Sequence, residues 1–259
     1  MVRFLRQSLL SFKALNGHLN IKMIIFDKVF NPVMQLIFFT MLAKFVYHTD
    51  DVTPWVIGNA FLLSVYNSIF GVGAVMVNER SFGTLKLVIA STANKFLVFT
   101  GRAFMHVIDG LVTVIIGLVA GALLFHCDFS NTNFWLFTLC VFVSMFAAMG
   151  MGLLVGSIGL VASDINLILN LSMFIIFIFT GAEFPLSKLP AFLYSAAYLL
   201  PITRGIEASR LIVSGHINSH VYHLIAMEFV VGVVYVLIGY FVLKYMENLA
   251  KKHAALDAY

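Results

Sequence analysis

The stretch Asn78-Glu79-Arg80-Ser81-Phe82-Gly83-Thr84-Leu85-Lys86-Leu87-Val88-Ile89 separates two long apolar runs, and the fold turns on how it is read. Phe82, Leu85, Val88 and Ile89 recur at helical spacing and define one apolar face. Arg80, Thr84 and Lys86 make the stretch too polar to cross hydrocarbon. It reads as a short amphipathic helix on one surface of a membrane, placed where a soluble partner could grip it. A surface-lying linker helix with no partner is the bland alternative.

The composition on either side supports a membrane setting. Of 259 residues, 61% are hydrophobic and 11% charged, and the mean hydropathy is +0.98. Soluble domains carry about 45–50% apolar and about 25% charged residues. The aromatic share of 14%, with 26 Phe, suits lipid-facing helices. The net charge of +4 is dispersed into loops, which favours anionic headgroups over nucleic acid as its counterpart. Two cysteines, Cys127 and Cys140, suggest neither a disulfide framework nor a metal spacing.

Working outward along the chain, the expected spans are 29–46, 55–77, 103–125, 134–161, 167–180 and 222–245. The fifth is short for a crossing of about 20 residues. Residues 1–22 hold Arg3, Arg6 and Lys13 among Phe4, Leu5, Leu9, Leu10 and Phe12, as expected of an interfacial amphipathic helix rather than a cleaved leader. Asp27, Lys28 and Pro32 mark the start of the first span, proline being tolerated in a first helical turn. Asp164 is placed to cap the fifth. Residues 181–219 mix Pro185, Pro190 and Pro201 with Glu183, Lys188, Arg204, Glu207 and Arg210, as expected of re-entrant or interfacial helices.

Orientation follows from the 16 basic residues. Arg3, Arg6, Lys13, Lys22, Lys28, Arg80, Lys86, Lys95, Arg102, Lys244, Lys251 and Lys252 fall on one side of the six-span arrangement. Only Lys44, Lys188, Arg204 and Arg210 fall on the other. The positive-inside rule then places both termini in the cytoplasm.

Few residues carry chemistry. His106 and Asp109 share a face of the third span and Glu228 lies in the sixth, so all three are candidates for a translocation path. Pairing of the first two with Arg102 is the plainer reading. Gly117-x-x-x-Gly121 and Gly152-x-x-x-Gly156 predict close helix contacts, within the chain or at a dimer seam. His216, His220 and His223 follow helical spacing, but no carboxylate or cysteine joins them locally to make a metal site. The sequence contains no Walker A pattern, G-x-S-x-G, H-E-x-x-H or C-x-x-C.

Two of these stretches carry a resemblance. Glu79-Arg80-x-x-Gly83-Thr84-Leu85 resembles the loop between the second and third spans in the permeases of ABC-2 type exporters. In that family an acid, a base and Gly-Thr-Leu form a coupling helix that docks on the ATP-binding subunit. Lys86 stands where the family often has an acid. Gly181-Ala182-Glu183-Phe184-Pro185, with Leu189-Pro190, Leu200-Pro201 and Arg204-Gly205, resembles the family's external re-entrant helical hairpin.

The resemblance implies an all-α polytopic membrane protein, one permease domain over residues 1–259 with six transmembrane helices. It adds an N-terminal interfacial helix (1–22), a cytoplasmic coupling helix (78–95) between helices 2 and 3, and an external hairpin (181–219) before helix 6. Glu79, Arg80, Phe82, Gly83, Thr84 and Leu85 would couple to the ATP-binding subunit. Glu183, Pro185, Pro190, Pro201 and Arg204 would form an external gate. Two ATP-binding subunits, a second permease copy (identical or related) and membrane lipids would be the partners. ATP and Mg would sit on the partner, with no cofactor in this chain, and the location would be a bacterial inner membrane. Drug, peptide antibiotic, lipid and glycan are all open as exported substrates. Two rival readings remain: a self-powered proton-coupled carrier using His106, Asp109 and Glu228, and an intramembrane enzyme.

Overall fold

A computed structural model describes residues 20–84, 87, 94–160, 162 and 164–252. Its helices are α1 (Ile21–Ile25), a π-helical stretch (Phe26–Phe30), α2 (Asn31–Tyr47), α3 (Thr53–Ser81) and α4 (Lys95–Phe125). They continue with α5 (Phe134–Ile158), α6 (Ile165–Phe179), a 3-10 turn (Leu186–Lys188), α7 (Ala191–Ala197), α8 (Thr203–Val213) and α9 (Ser219–Lys252). No strand occurs among the described residues. The predicted interfacial helix at 1–22 lies almost wholly outside them.

Helix starts are set by side-chain caps. Asn94, Asn133 and Asp164 each accept the N–H three residues on, at 3.2, 3.1 and 3.1 Å. Each satisfies one of the orphan donors of a first turn. His48 and His126 close α2 and α4 in the left-handed conformation.

Among the described residues, five helical segments are long and apolar enough to cross a membrane: Lys22–Tyr47, Thr53–Gly73, Lys95–Phe125, Phe134–Ile158 and Ser219–Leu249. The apolar α6 has 15 residues, about 22 Å at 1.5 Å per residue, short of a hydrocarbon core of about 30 Å.

Two expected starts are corrected. The first span begins at Ile21, not Val29, and passes through the π-helical stretch before reaching Pro32. Pro32 has no N–H for the carbonyl of Lys28 and its ring crowds that carbonyl. The ladder widens there, and Asn31 N–H reaches back five residues to Phe26 O. The third span begins at Lys95, not Ala103, so α4 has 31 residues.

Helices α3 and α5 form the interior, and most of each crossing segment is buried. α9 packs along α5, α4 along α3, and α2 lies against α3 and α4. Small residues set the approach. A Cβ on Gly117 or Gly121 would strike Ala60 or Val56 of α3, and one on Gly152 or Gly156 would meet Val72 or Gly73 of α3. A Cβ on Gly150 would meet Gly232 and Tyr235 of α9. Both predicted small-residue motifs thus make the close helix contacts within the chain that their spacing predicted. Glycine spares volume where backbones touch, and dispersion then holds helices that no hydrophobic drive separates from lipid.

The bundle has two distinct ends. At one, the α2–α3 and α4–α5 loops meet α8: Asp51, Pro54, His126, Asn131, Arg210 and Ser214 line one cavity of about 420 Å³. At the other, Lys95 of α4 pairs with Glu247 of α9 at 3.7 Å, and Arg102 of α4 pairs with Glu79 of α3. We call these the loop end and the Glu79 end.

Candidate functional site

The Glu79 end holds the quoted stretch. Glu79 and Arg80 belong to the last turns of α3, which runs through Ser81. Gly83 then turns the chain at φ +69, the left-handed geometry that glycine supplies after a helix. A single helix over 79–89 is therefore corrected, because the break at Gly83 divides it. Glu79 accepts Thr84 Oγ1 at 2.6 Å and pairs with Arg102. Its carboxylate ties the end of α3 to the turn and to α4. Phe82 is 66% exposed, and nothing stands within 4 Å of where a Gly83 side chain would be. Leu85, Lys86 and residues 88–93 lie outside the described residues.

The loop end is built around Arg210. Its guanidinium donates to Pro54 O (2.9 Å), Gly181 O (2.9 Å) and Ala182 O (3.0 Å). One side chain of α8 thus fastens the start of α3 and the turn after α6. Burial lowers the Arg210 pKa to about 10, with Glu183 and Glu207 opposing, so it stays charged. Pro185 and Pro190 each stand immediately before a helical segment, and Pro201 lies just ahead of α8. They lack an N–H and cannot continue a preceding helix. Arg204 donates to Tyr198 O and lies 5.2 Å from the centre of the Tyr198 ring. Tyr198 in turn donates to Glu207 at 2.9 Å.

Glu228 belongs to this end too. Its Oε1 accepts Ile202 N–H at 2.6 Å, and the residue is 1% exposed. Ile202 has φ +68, a conformation costly for a β-branched residue. The carboxylate holds that strained corner from α9 at the N-terminus of α8, where a negative charge is favoured.

Glu183 is buried and lines a cavity of about 120 Å³ with Phe39, Tyr47, Phe177 and Phe184. Its Oε1 has no hydrogen-bond partner among the described residues. Burial raises its pKa to about 7 against the opposing pulls of Arg210 and Asn59. Asn59 Nδ2 also donates to Trp55 O at 3.0 Å.

Mid-bundle, Asp109 pairs with Lys28 of the π-helical stretch at 2.5 Å. Arg102, the partner expected from sequence, is taken by Glu79. With α4 starting at Lys95, His106 and Asp109 sit about three to four turns inside it, deeper than sequence suggested. The His106 ring packs against Gly71 of α3. Nearby, Asn67 donates to Thr113 Oγ1 at 2.8 Å and Ser64 to Gly110 O at 2.7 Å, giving the α3–α4 seam a polar strip. His106 and Asp109 are brought together, whereas Glu228 lies under α8 at the loop end.

The remaining candidates stay apart. His216 contacts Ser214 Oγ and His220 lies 3.5 Å from Glu207, and no group of three metal-ligating residues occurs among the described residues. Cys127 and Cys140 are free and buried. Sequence reasoning missed the Arg210 clamp and Lys28 as the partner of Asp109. The signal was present in both: a basic residue among apolar neighbours must find acceptors.

No curated protein matches the chain. A family description, "ABC-2 type transporter", matches residues 10–213. That covers 204 of 259 residues, from before α1 to the end of α8, and includes the Glu79 turn and the Arg210 clamp. An all-helical bundle with several crossing-length apolar helices, matched over that length, is a transport component of a membrane, and the chain belongs to the ABC-2 type transporter family.

Proposed function

We propose that the chain is the permease subunit of an ATP-driven exporter, worked by separate ATP-binding subunits that carry the nucleotide and Mg. The observation that carries this is the Phe82-Gly83-Thr84 turn. It projects an exposed aromatic at the basic end of the bundle, on a base fixed by Glu79 to Arg102 and Thr84. A push on that turn reaches α3, the interior helix, and α4 together. Two ATP-binding subunits and a second permease copy complete the assembly. Both termini lie in the cytoplasm of a bacterial cell, with the Arg210 clamp and Glu183 on the outside. Prolines 185, 190 and 201, with Glu183 and Arg204, form an outer cap whose movement gates release.

A proton-coupled carrier would want its ionisable groups in one relay. The separation of Glu228 from the Lys28–Asp109 pair disfavours it.

The test is Phe82→Ala in the complex with its ATPase. Phe82 is exposed, so the variant should insert and fold as the parent does. A buried anchor at an interface is worth roughly 2 kcal/mol, so ATPase affinity should drop about 30-fold, and substrate should no longer stimulate hydrolysis. Wild-type transport and stimulation in this variant would end the coupling assignment.

A further inference from the structure

We propose that Glu183 and four aromatic residues lining one cavity with it form a binding site for an alkylammonium group, open between α2 and α6 at the loop end of the bundle. The cavity of about 120 Å³ is lined by Phe39, Tyr47, Phe177 and Phe184, and Glu183 is the acid among its lining residues. Phe39 and Phe177 bridge α2 and α6 with ring centres 5.1 Å apart. Phe184 is 48% exposed and leaves a way in.

The chemistry selects a cation. Aromatic faces carry negative quadrupole charge and attract ammonium groups, most strongly when several rings surround one. Glu183 adds a full charge and two acceptor oxygens when ionised, and a bound cation favours that ionised form over the protonated acid of the empty site. One of these oxygens, Oε1, is buried without a hydrogen-bond partner among the described residues, a state that costs free energy until a donor arrives. Arg210 does not supply that donor, because its guanidinium is spent on the carbonyls of Pro54, Gly181 and Ala182. An anion would meet the Glu183 charge and the ring faces. A purely apolar chain would leave the orphan oxygen unsatisfied.

The site also has a built-in reporter. Trp55 donates Nε1–H to Glu183 O at 3.3 Å and stacks on Tyr47 at 5.0 Å. The other of the two tryptophans, Trp135, is 90% exposed, so Trp135→Phe leaves Trp55 as the single fluorophore.

The inference does not rest on the export reading, since binding is read in the full chain without an ATPase. In Trp135→Phe protein held in phosphatidylglycerol nanodiscs, octylammonium, whose head carries three N–H donors, should shift Trp55 emission saturably below its micelle-forming concentration. Octyl glucoside, with the same chain and a neutral head, should not. Glu183→Gln should weaken binding roughly tenfold, and Phe177→Leu should weaken it by a smaller factor. Phe177→Leu carries the test alone if Glu183→Gln does not fold. Equal response to the two surfactants, or unchanged affinity in a folded variant, overturns the proposal. Phosphatidylethanolamine in the nanodisc distinguishes the sources. Competition assigns the ammonium to a lipid headgroup, and its absence assigns it to a free amphiphile.

Discussion

Arg210 carries more of the loop end than any other single residue. Its three acceptors are backbone carbonyls to which no other side chain among the described residues donates. Arg210→Met should destabilise the detergent-solubilised protein by about 3 kcal/mol, because it strands acceptors as well as removing bonds. Arg210→Lys should recover little of this, since one ammonium cannot span the fork. A denaturation midpoint for Arg210→Lys equal to the parent's would show that charge, not geometry, is what matters there. Glu183 makes a pH prediction. Burial raises its pKa from 4.5 to about 7, so the folded state favours the protonated acid. The stability gained is full below 4.5 and is lost as pH rises through about 7. Melting temperature should fall over that window, and Glu183→Gln should flatten the slope. A slope unchanged by the substitution would assign the titration to another group.

At the scale of elements, the π-helical stretch and α4 are joined by Lys28 and Asp109. Their side chains are 26% and 12% exposed, so the pair is partly dehydrated and removing one partner leaves an uncompensated charge. Asp109→Asn should cost about 2 kcal/mol after allowance for residual solvent. The double substitution Lys28→Met with Asp109→Leu should recover most of that loss. A strictly additive cycle in chemical denaturation would mean that the two side chains do not interact. The loop end has a second constraint of the same kind. Gly58 of α3 faces the backbone of Ala182, where a Cβ would sit 2.5 Å from the carbonyl oxygen. The first turns of α3 are thereby docked on the peptide groups that Arg210 clamps.

For the whole molecule the decisive property is which end faces the cytoplasm. Asp51, His126, Asn131 and Arg210 share the loop end, while Glu79, Arg102, Lys95 and Glu247 share the other. With basic residues concentrated at the Glu79 end, that end should be cytoplasmic. Single cysteines at Ser130 and Ser187, both exposed, should react with impermeant maleimide in intact cells once Cys127 and Cys140 are replaced. Labelling only after permeabilisation would invert the bundle.

Hydrophobic length and polar interruptions determined the class: runs of about 20 apolar residues can bury their backbone polar groups only as helices in lipid. The cap at Asp164 and the breaks at Pro185, Pro190 and Pro201 were legible for the same local reason, since each depends on a residue's own donors and acceptors. The start of the first span was not, because the π-helical stretch lets the helix run past Pro32 by widening the ladder where proline lacks an N–H. Pairing was also beyond the sequence. Arg102 lay close enough along α4 to suit Asp109, yet Lys28, 81 residues away in sequence, is its partner. The small-residue motifs announced close packing but not against which helix, because Gly117 and Gly152 read alike until α3 is placed between them. Glu183 and Arg210 show the limit most plainly. Sequence marked both as charges in an apolar stretch. Only the packing of α8 on α3 shows that Arg210 has its acceptors and that Glu183 Oε1 lacks a donor among the described residues, since satisfaction of a buried polar group belongs to its neighbours in space.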